Sequence, residues 1–254
     1  MEDLDPPREV SGAADDILRT LEAFGLYWDK EVIYQNQRHG AYQQTLQRLE
    51  HAQLVYPCGC SRKDIQENTA RSGNVYPGTC RNGLPQGRQA RALRLRVPDL
   101  DIRFGDRLQG DIEEWLPEKS GDFIIRRADG LFAYQLAVVV DDAEQGITDV
   151  VRGADLLDST CRQIFLQQSL GYALPRYLHL PVAVNESGEK LSKQTNAPAV
   201  SPQQAVPALT AALRFLGQRV PEGLESSQQA DFWSWAVPNW QSGRIPKTRI
   251  IEVH

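Results

Sequence analysis

No apolar run in this 254-residue chain approaches the ~20 residues that a membrane helix needs, and the opening stretch MEDLDPPR lacks the basic-then-apolar character of an export signal. A membrane or secreted protein is therefore not expected, and the expected compartment is the cytoplasm. Cysteine is also scarce. Cys58, Cys60, Cys80 and Cys161 are too few for a disulfide scaffold at this length. An excess of positive charge is missing too. A net charge of −5 and a pI near 5.5 argue against nucleic-acid binding driven by global charge. There are no internal repeats.

The bulk composition, 41% hydrophobic and 24% charged, is that of a soluble globular chain with enough residues for a sizeable core. Charge is uneven along it. Arg81, Arg88, Arg91, Arg94, Arg96, Arg103 and Arg107 crowd one stretch. A solvated basic face and a phosphate-contacting surface are both open readings of it.

Apolar spacing predicts a helix over 10–26, with Ile17, Leu18, Leu21 and Phe24 on one face and Gly25 as the stop, and a second over 41–51. Residues 26–34 read as a turn with short extended pieces. Strands are expected over 92–97, with Leu93, Leu95 and Val97 alternating against Arg94 and Arg96, and over 123–127, 147–151 and 177–184. A helix over 154–170 ends at Gly171, and a polar loop spans 185–196. Strand, helix, strand and loop in that order is the pattern of a parallel α/β sheet, with one crossover visible. The last 50 residues read as helical, 202–217 most clearly, with a tryptophan-rich tail.

Residues 56–87 are rich in Gly, Pro, Asn and Cys and hold too little apolar material for a core of their own. Three cysteines within 23 residues suggest that a metal supplies the missing constraint. Zinc usually takes four ligands, and His51, Asp64, Cys161 or water could complete Cys58, Cys60 and Cys80. Three reduced cysteines without a metal is the plain alternative. In the loop Asn185-Glu186-Ser187-Gly188-Glu189-Lys190-Leu191-Ser192-Lys193-Gln194, two lysines could converge on a triphosphate. On its own, so short a motif also fits a solvated loop. Arg152 could grip a carboxylate bidentately or form a structural ion pair with Asp149 or Asp155. Tyr134, in an apolar run, reads by default as a core tyrosine.

The lysine loop resembles the second signature of class I aminoacyl-tRNA synthetases. Glu2-Asp3-Leu4-Asp5-Pro6-Pro7-Arg8, Gly25-Leu26-Tyr27-Trp28-Asp29 and Gln37-Arg38 with Tyr42 resemble the glutamate branch of that class. So do residues 122–130, Tyr134 with residues 137–142, and Val151-Arg152-Gly153-Ala154-Asp155. The match runs in order over about residues 2–200. It implies an α/β fold: a class I Rossmann-like parallel sheet, its N-terminal part missing, with a zinc-bearing insertion and a C-terminal helical region. The implied units are 1–50, the remainder of a first Rossmann half; 51–130, an acceptor-binding type of insertion; 131–182, a second half; and 183–254, the lysine loop and helical region.

The resemblance also implies roles. Glu2 would receive the α-amino group of glutamate, and Tyr134 and Arg152 would line the pocket and hold the carboxylate. Lys193, helped by Lys190, would bind ATP and stabilise the leaving pyrophosphate. Tyr76 would be the fourth zinc ligand, because C-x-C-x15-Y-x3-C resembles the zinc site of this branch. The short region after Lys193 resembles the stand-alone paralogues that attach glutamate to the queuosine base of tRNA(Asp). L-glutamate, ATP with Mg²⁺, queuosine-bearing tRNA(Asp) and structural Zn²⁺ are then the expected partners of a monomeric ligase. No HIGH-type signature is present, and Met1 stands directly before Glu-Asp-Leu-Asp, which in the family follows that segment. Weak or absent activity, unpaired strand edges and exposed apolar helix faces are expected in consequence. The alternatives are a truncated glutamyl-tRNA synthetase of the ordinary kind and a non-catalytic zinc-containing tRNA-binding remnant.

Overall fold

The computed structural model describes residues 1–69, 75–192 and 199–253. In chain order the elements are α1 (Ala13–Ala23), α2 (His39–His51), β1 (Val55–Cys58), α3 (Arg62–Thr69) and β2 (Ala92–Leu95). These are followed by β3 (Asp101–Asp106), β4 (Gly110–Trp115), α4 (Leu116–Lys119), β5 (Ile124–Arg126) and α5 (Tyr134–Gln145). Then come β6 (Asp149–Gly153), α6 (Leu157–Leu170), β7 (Arg176–Leu180), β8 (Val182–Val184), α7 (Ala205–Phe215), α8 (Gln229–Asn239) and β9 (Ile250–Glu252).

The expected crossover is β6–α6–β7, and it anchors a four-stranded mixed sheet in the order β4-β3-β7-β6. Strands β6 and β7 pair in parallel from Asp149↔Arg176 to Gly153↔Leu180. Strand β3 joins β7 in parallel at Asp106↔Tyr177 and turns back into β4 as an antiparallel hairpin. Gly171 closes α6 with φ 70°, the left-handed cap that the sequence predicts. A second, antiparallel sheet, β1-β2-β5, carries the cysteine-rich segment.

The strand expected over 177–184 is two strands in two sheets. Pro181 separates them: it has no N–H to continue the ladder with β6, and beyond it β8 pairs with β9. Residues 26–34 form no strand, and Tyr27 is 77% exposed. The inward residues of β2 also differ from expectation, because Arg94 is buried along with Leu95.

Helix α5 explains the apolar run before Asp141-Asp142. It packs against both α2 and α6, so Leu136, Ala137, Val139 and Val140 are all buried. Asp141 ties it to α2, accepting from Gln35 Nε2 at 2.9 Å, Arg38 Nε at 2.6 Å and the Tyr42 hydroxyl at 2.8 Å. The residue after this buried hub, Asp142, is thereby fixed in the site described below.

Apolar surface is left uncovered on two elements. Strand β6 has no partner on its outer edge among the described residues, and Val151 is 61% exposed. Helix α1 has no fully buried residue, and Ile17 is half exposed. Beyond α1, Gly25 (φ 71°) admits the C-terminal helix: a Cβ there would lie 2.6 Å from Trp233 Nε1, which donates to Phe24 O.

Candidate functional site

The parallel register sets Arg152 of β6 beside His179 of β7, and the first two turns of α6 bring Thr160 and Gln163 over both. Arg152 Nε donates to His179 Nε2 at 3.1 Å, and its NH2 donates to Thr160 Oγ1 at 2.8 Å and Gln163 Oε1 at 2.7 Å. Every one of these partners is neutral. Asp149 is engaged instead by Arg176 at 2.6 Å and Arg107 at 3.6 Å, and Asp155 by Lys190. The structural ion pair weighed from the sequence is therefore absent among the described residues. The guanidinium is not free for a two-nitrogen grip through Nε, because the cradle occupies that edge. Its NH1 end is the one left for a ligand.

Glu2, Tyr134 and Asp142 lie close enough to Arg152 to feel its charge. Crowding by neighbouring atoms raises the Glu2 carboxyl above its ordinary range, and Arg152 opposes that rise. Burial likewise raises the Tyr134 hydroxyl, which sits on the first turn of α5. Asp142 is the residue that reasoning from sequence left without a role. Burial, with Asp141 and Glu2 nearby, pushes its carboxyl up to about 6 against the pull of Arg152.

That shift has a sign. Between the ordinary value of 3.8 and about 6 the folded chain holds a proton that the unfolded chain has released, so this group makes stability fall as pH rises through that window. Asp142→Asn is expected to raise the thermal midpoint relative to the parent at pH 7.5 and to leave it unchanged near pH 4. Equal shifts at both pH values would mean that the charge is not the cause.

Behind Glu2 and Asp142 a cleft of about 650 Å³ opens between α1 and α5, with Leu18, Leu21, Trp28 and Val138 in its wall.

The lysine loop returns to this site. After β8, Asn185 Oδ1 accepts from Ser187 N at 3.1 Å and Glu189 N at 2.9 Å, Gly188 adopts φ 75°, and Lys190 bridges back to Val184. Lys190 then pairs with Asp155, three residues after Arg152. A Cβ at Gly153 would stand 2.4 Å from Asp155 Oδ1, so any larger residue there would displace this carboxylate. Lys193 lies outside the described residues.

The cysteine segment folds into a second cluster. The sulfurs of Cys58, Cys60 and Cys80 lie within 4.8 Å of one another, Cys60 and Cys80 at 3.6 Å. The Tyr76 hydroxyl stands 3.4 Å from Cys58 Sγ and 3.7 Å from Cys60 Sγ, and it accepts from the Cys80 backbone N–H at 2.9 Å. Of the other fourth-ligand candidates, His51 is exposed on α2 with Nδ1 against Gln47 O. Asp64 is held by Ser61 and by both ends of Arg88, and Cys161 is buried in the main core. Arg94 lies against the cluster: Nε donates to Cys58 Sγ at 3.3 Å, and the guanidinium covers the Tyr76 ring at 3.7 Å. Burial disfavours the Cys58 thiolate, yet the Tyr76 hydroxyl, the Cys60 backbone and Arg94 outweigh it and bring the thiol below its usual pKa.

Most of the arginine-rich stretch is thus spent internally. Arg81 pairs with Asp122, Arg88 with Asp64, Arg103 with Glu113 and Arg107 with Asp149, while Arg96 covers the Tyr56 ring.

The model of tRNA synthetases class I (E and Q), catalytic domain, matches residues 1–206. A glutamyl-Q tRNA(Asp) synthetase of Dechloromonas aromatica is 58% identical over 99% of this chain and 85% of its own length. One of Chromobacterium violaceum is 56% identical over 97% of this chain and 83% of its own. Among solved structures, a glutamate tRNA ligase of Elizabethkingia meningosepticum superposes with a TM-score of 0.75 at 19% identity, over 98% of this chain and 58% of that one.

Proposed function

The chain belongs to the family of class I tRNA synthetases (E and Q), and from that premise we propose that it activates L-glutamate with ATP and transfers it to the queuosine base of tRNA(Asp). The names of its high-identity relatives support the choice of acceptor. In the first step the α-carboxylate of glutamate attacks the α-phosphate of ATP. A carboxylate–phosphorus bond forms, pyrophosphate leaves, and magnesium accompanies the nucleotide. In the second step the acyl group passes from AMP to the modified base.

The observation that carries this reading is the state of Arg152: a guanidinium held only by neutral groups, with no hydrogen-bond partner on NH1 among the described residues, close enough to Glu2, Tyr134 and Asp142 for its charge to act on them. Such a charge is suited to the carboxylate of glutamate that does not react, since tight pairing of the reacting one would blunt its attack. Glu2 is proposed to take the α-amino group and Tyr134 to close the pocket. Lys190 would leave Asp155 for the pyrophosphate, with Lys193 as its companion.

The Cys58, Cys60, Tyr76 and Cys80 donors are proposed to hold a structural zinc ion. The spacings fit: with zinc–sulfur bonds of about 2.3 Å and a zinc–oxygen bond of about 2.0 Å, a tetrahedral site puts two sulfurs about 3.8 Å apart and oxygen about 3.5 Å from sulfur, close to the 3.6 Å between Cys60 and Cys80 and the 3.4–3.7 Å around the Tyr76 hydroxyl. Three thiolates give such a centre a net negative charge, which the buried Arg94 would balance. A cytoplasmic monomer is proposed, and no described helix is long and apolar enough to cross a membrane.

The test is glutamate-dependent exchange of pyrophosphate into ATP without RNA, followed by transfer of labelled glutamate to tRNA(Asp) with and without queuosine. Slow exchange with glutamate but not aspartate, and label only on the queuosine form, is the expected pair of results. Label on the 3′ end of tRNA(Glu) would favour an ordinary glutamyl-tRNA synthetase, and no reaction in either assay would defeat the proposal.

A further inference from the structure

We propose that His179 is a positioning residue for Arg152: fixed by Asp106 with its proton on Nδ1, it offers a bare Nε2 that accepts the Arg152 Nε–H and turns the NH1 end of the guanidinium toward the substrate carboxylate. The inference rests on the reading of Arg152 as a glutamate-binding group.

The tautomer follows from the donors present. Arg152 is always protonated and can only donate, so His179 Nε2, at 3.1 Å, must present its lone pair. The single proton of the neutral ring then lies on Nδ1, 2.6 Å from Asp106 Oδ2, with both side chains wholly buried. Asp106 is itself immobile. Its Oδ1 accepts from Leu108 N at 3.0 Å, Gln109 N at 2.8 Å and His179 N at 3.3 Å, so the carboxylate is set by the β3–β4 turn and cannot rotate away. Burial and the nearby Arg152 charge disfavour the imidazolium more than Asp106 favours it, which keeps the ring neutral.

A merely structural arginine would be more economically fixed by a carboxylate. A neutral acceptor orients the guanidinium and leaves its charge unspent. Gln163, which takes one NH2 proton of Arg152 on Oε1 and is 2% exposed, extends the cradle to the Tyr134 hydroxyl, which its side chain meets.

The test uses the full chain and L-glutamate as the titrant in calorimetry, with thermal melting as a check on folding. In Asp106→Asn the amide would donate to Nδ1 and move the ring proton to Nε2, setting donor against donor at unchanged shape. His179→Phe keeps the ring and removes the acceptor, and His179→Gln restores an acceptor. Asp106→Asn and His179→Phe are expected to weaken glutamate binding by about 10- to 100-fold, the range for a misplaced site group, and His179→Gln to recover most of that loss. Nitrogen NMR of the ring should show Nδ1–H in the parent and Nε2–H in Asp106→Asn. Parent-like binding in both weakened variants, or Nε2–H in the parent, overturns the positioning role. If His179→Phe does not fold, the isosteric Asp106→Asn decides. Arg152→Ala separates the levels: parent-like glutamate binding in that variant would defeat the reading of the site itself, and His179 with it.

Discussion

Stripping the zinc ion proposed for Cys58, Cys60, Tyr76 and Cys80 is expected to unfold the segment between β1 and β2 while the main core stays intact. The two regions have unequal means of staying folded. The main cluster runs from Tyr42 to Tyr177 and holds large buried side chains from α2, α5, α6 and the mixed sheet. The cysteine cluster has Tyr56, Cys58, Tyr76 and Cys80 at its centre, with Cys60, Ile65 and Leu84 alone packed around them among the described residues. So few apolar groups leave the ordering of this segment dependent on a further constraint, which a bound metal would supply. A strong chelator should therefore abolish hydrogen-exchange protection at Arg91 N, which bonds to Cys58 O, and at Leu95 N, which bonds to Phe123 O, only in part. Cys80→Ser should act like the chelator, and Tyr76→Phe should weaken the metal while leaving three sulfur ligands. Protein that contains no zinc by atomic absorption, or that keeps full protection at Arg91 after chelation, would remove the metal from the account.

The same cluster shows what could be read in advance and what could not. Cys58, Cys60 and Cys80 stand out by type and spacing. Tyr76 does not, because nothing in a 15-residue gap says which side chain will fold back, and the family resemblance was needed to single it out. In β2 the alternation of apolar residues and arginines reads correctly as a strand, but it suggests that Arg94 points to solvent. Burying a guanidinium requires a sulfur, an aromatic face and the Asp122 carbonyl in one place, and those partners come from three separate segments. The hairpin β3–β4 went unread because Asp101, Arg103, Glu113 and Glu114 interrupt its apolar pattern, although Ile102 is a core residue.

In the site proposed for glutamate the division is similar. Arg152 is legible because its charge follows a strand and precedes a capped helix. The partners that decide its role, His179, Thr160 and Gln163, become its neighbours only through the parallel register and the return of α6. Asp142 was visible as one of two aspartates. Only the fold divides them, sealing Asp141 against Arg38 and Tyr42 and turning Asp142 to the site.

Arg152→Lys is expected to lower the glutamate-dependent exchange rate by about 100- to 1000-fold, the scale of losing one preorganised donor, even though it conserves charge. Arginine satisfies two demands at once. Nε and NH2 occupy His179, Thr160 and Gln163, and NH1 has no hydrogen-bond partner among the described residues. A lysine ammonium is a single point with three donors. It can settle among the three acceptors or reach toward the ligand, but it cannot do both, and the acceptors are the buried and therefore the stronger claim on it. Arg152→Ala should be as impaired in exchange, and the two variants differ in a second readout. Arg152 lowers the Asp142 carboxyl from where burial alone would put it. Lysine keeps that influence and alanine removes it, so carboxyl NMR should find Asp142 titrating near the parent value of about 6 in Arg152→Lys and higher in Arg152→Ala. Activity lost alike in both variants, with Asp142 displaced only in alanine, would assign the loss to direction rather than charge. Exchange within about tenfold of the parent in Arg152→Lys would show that a positive charge at this point is enough, and that the cradle of His179, Thr160 and Gln163 serves the fold alone.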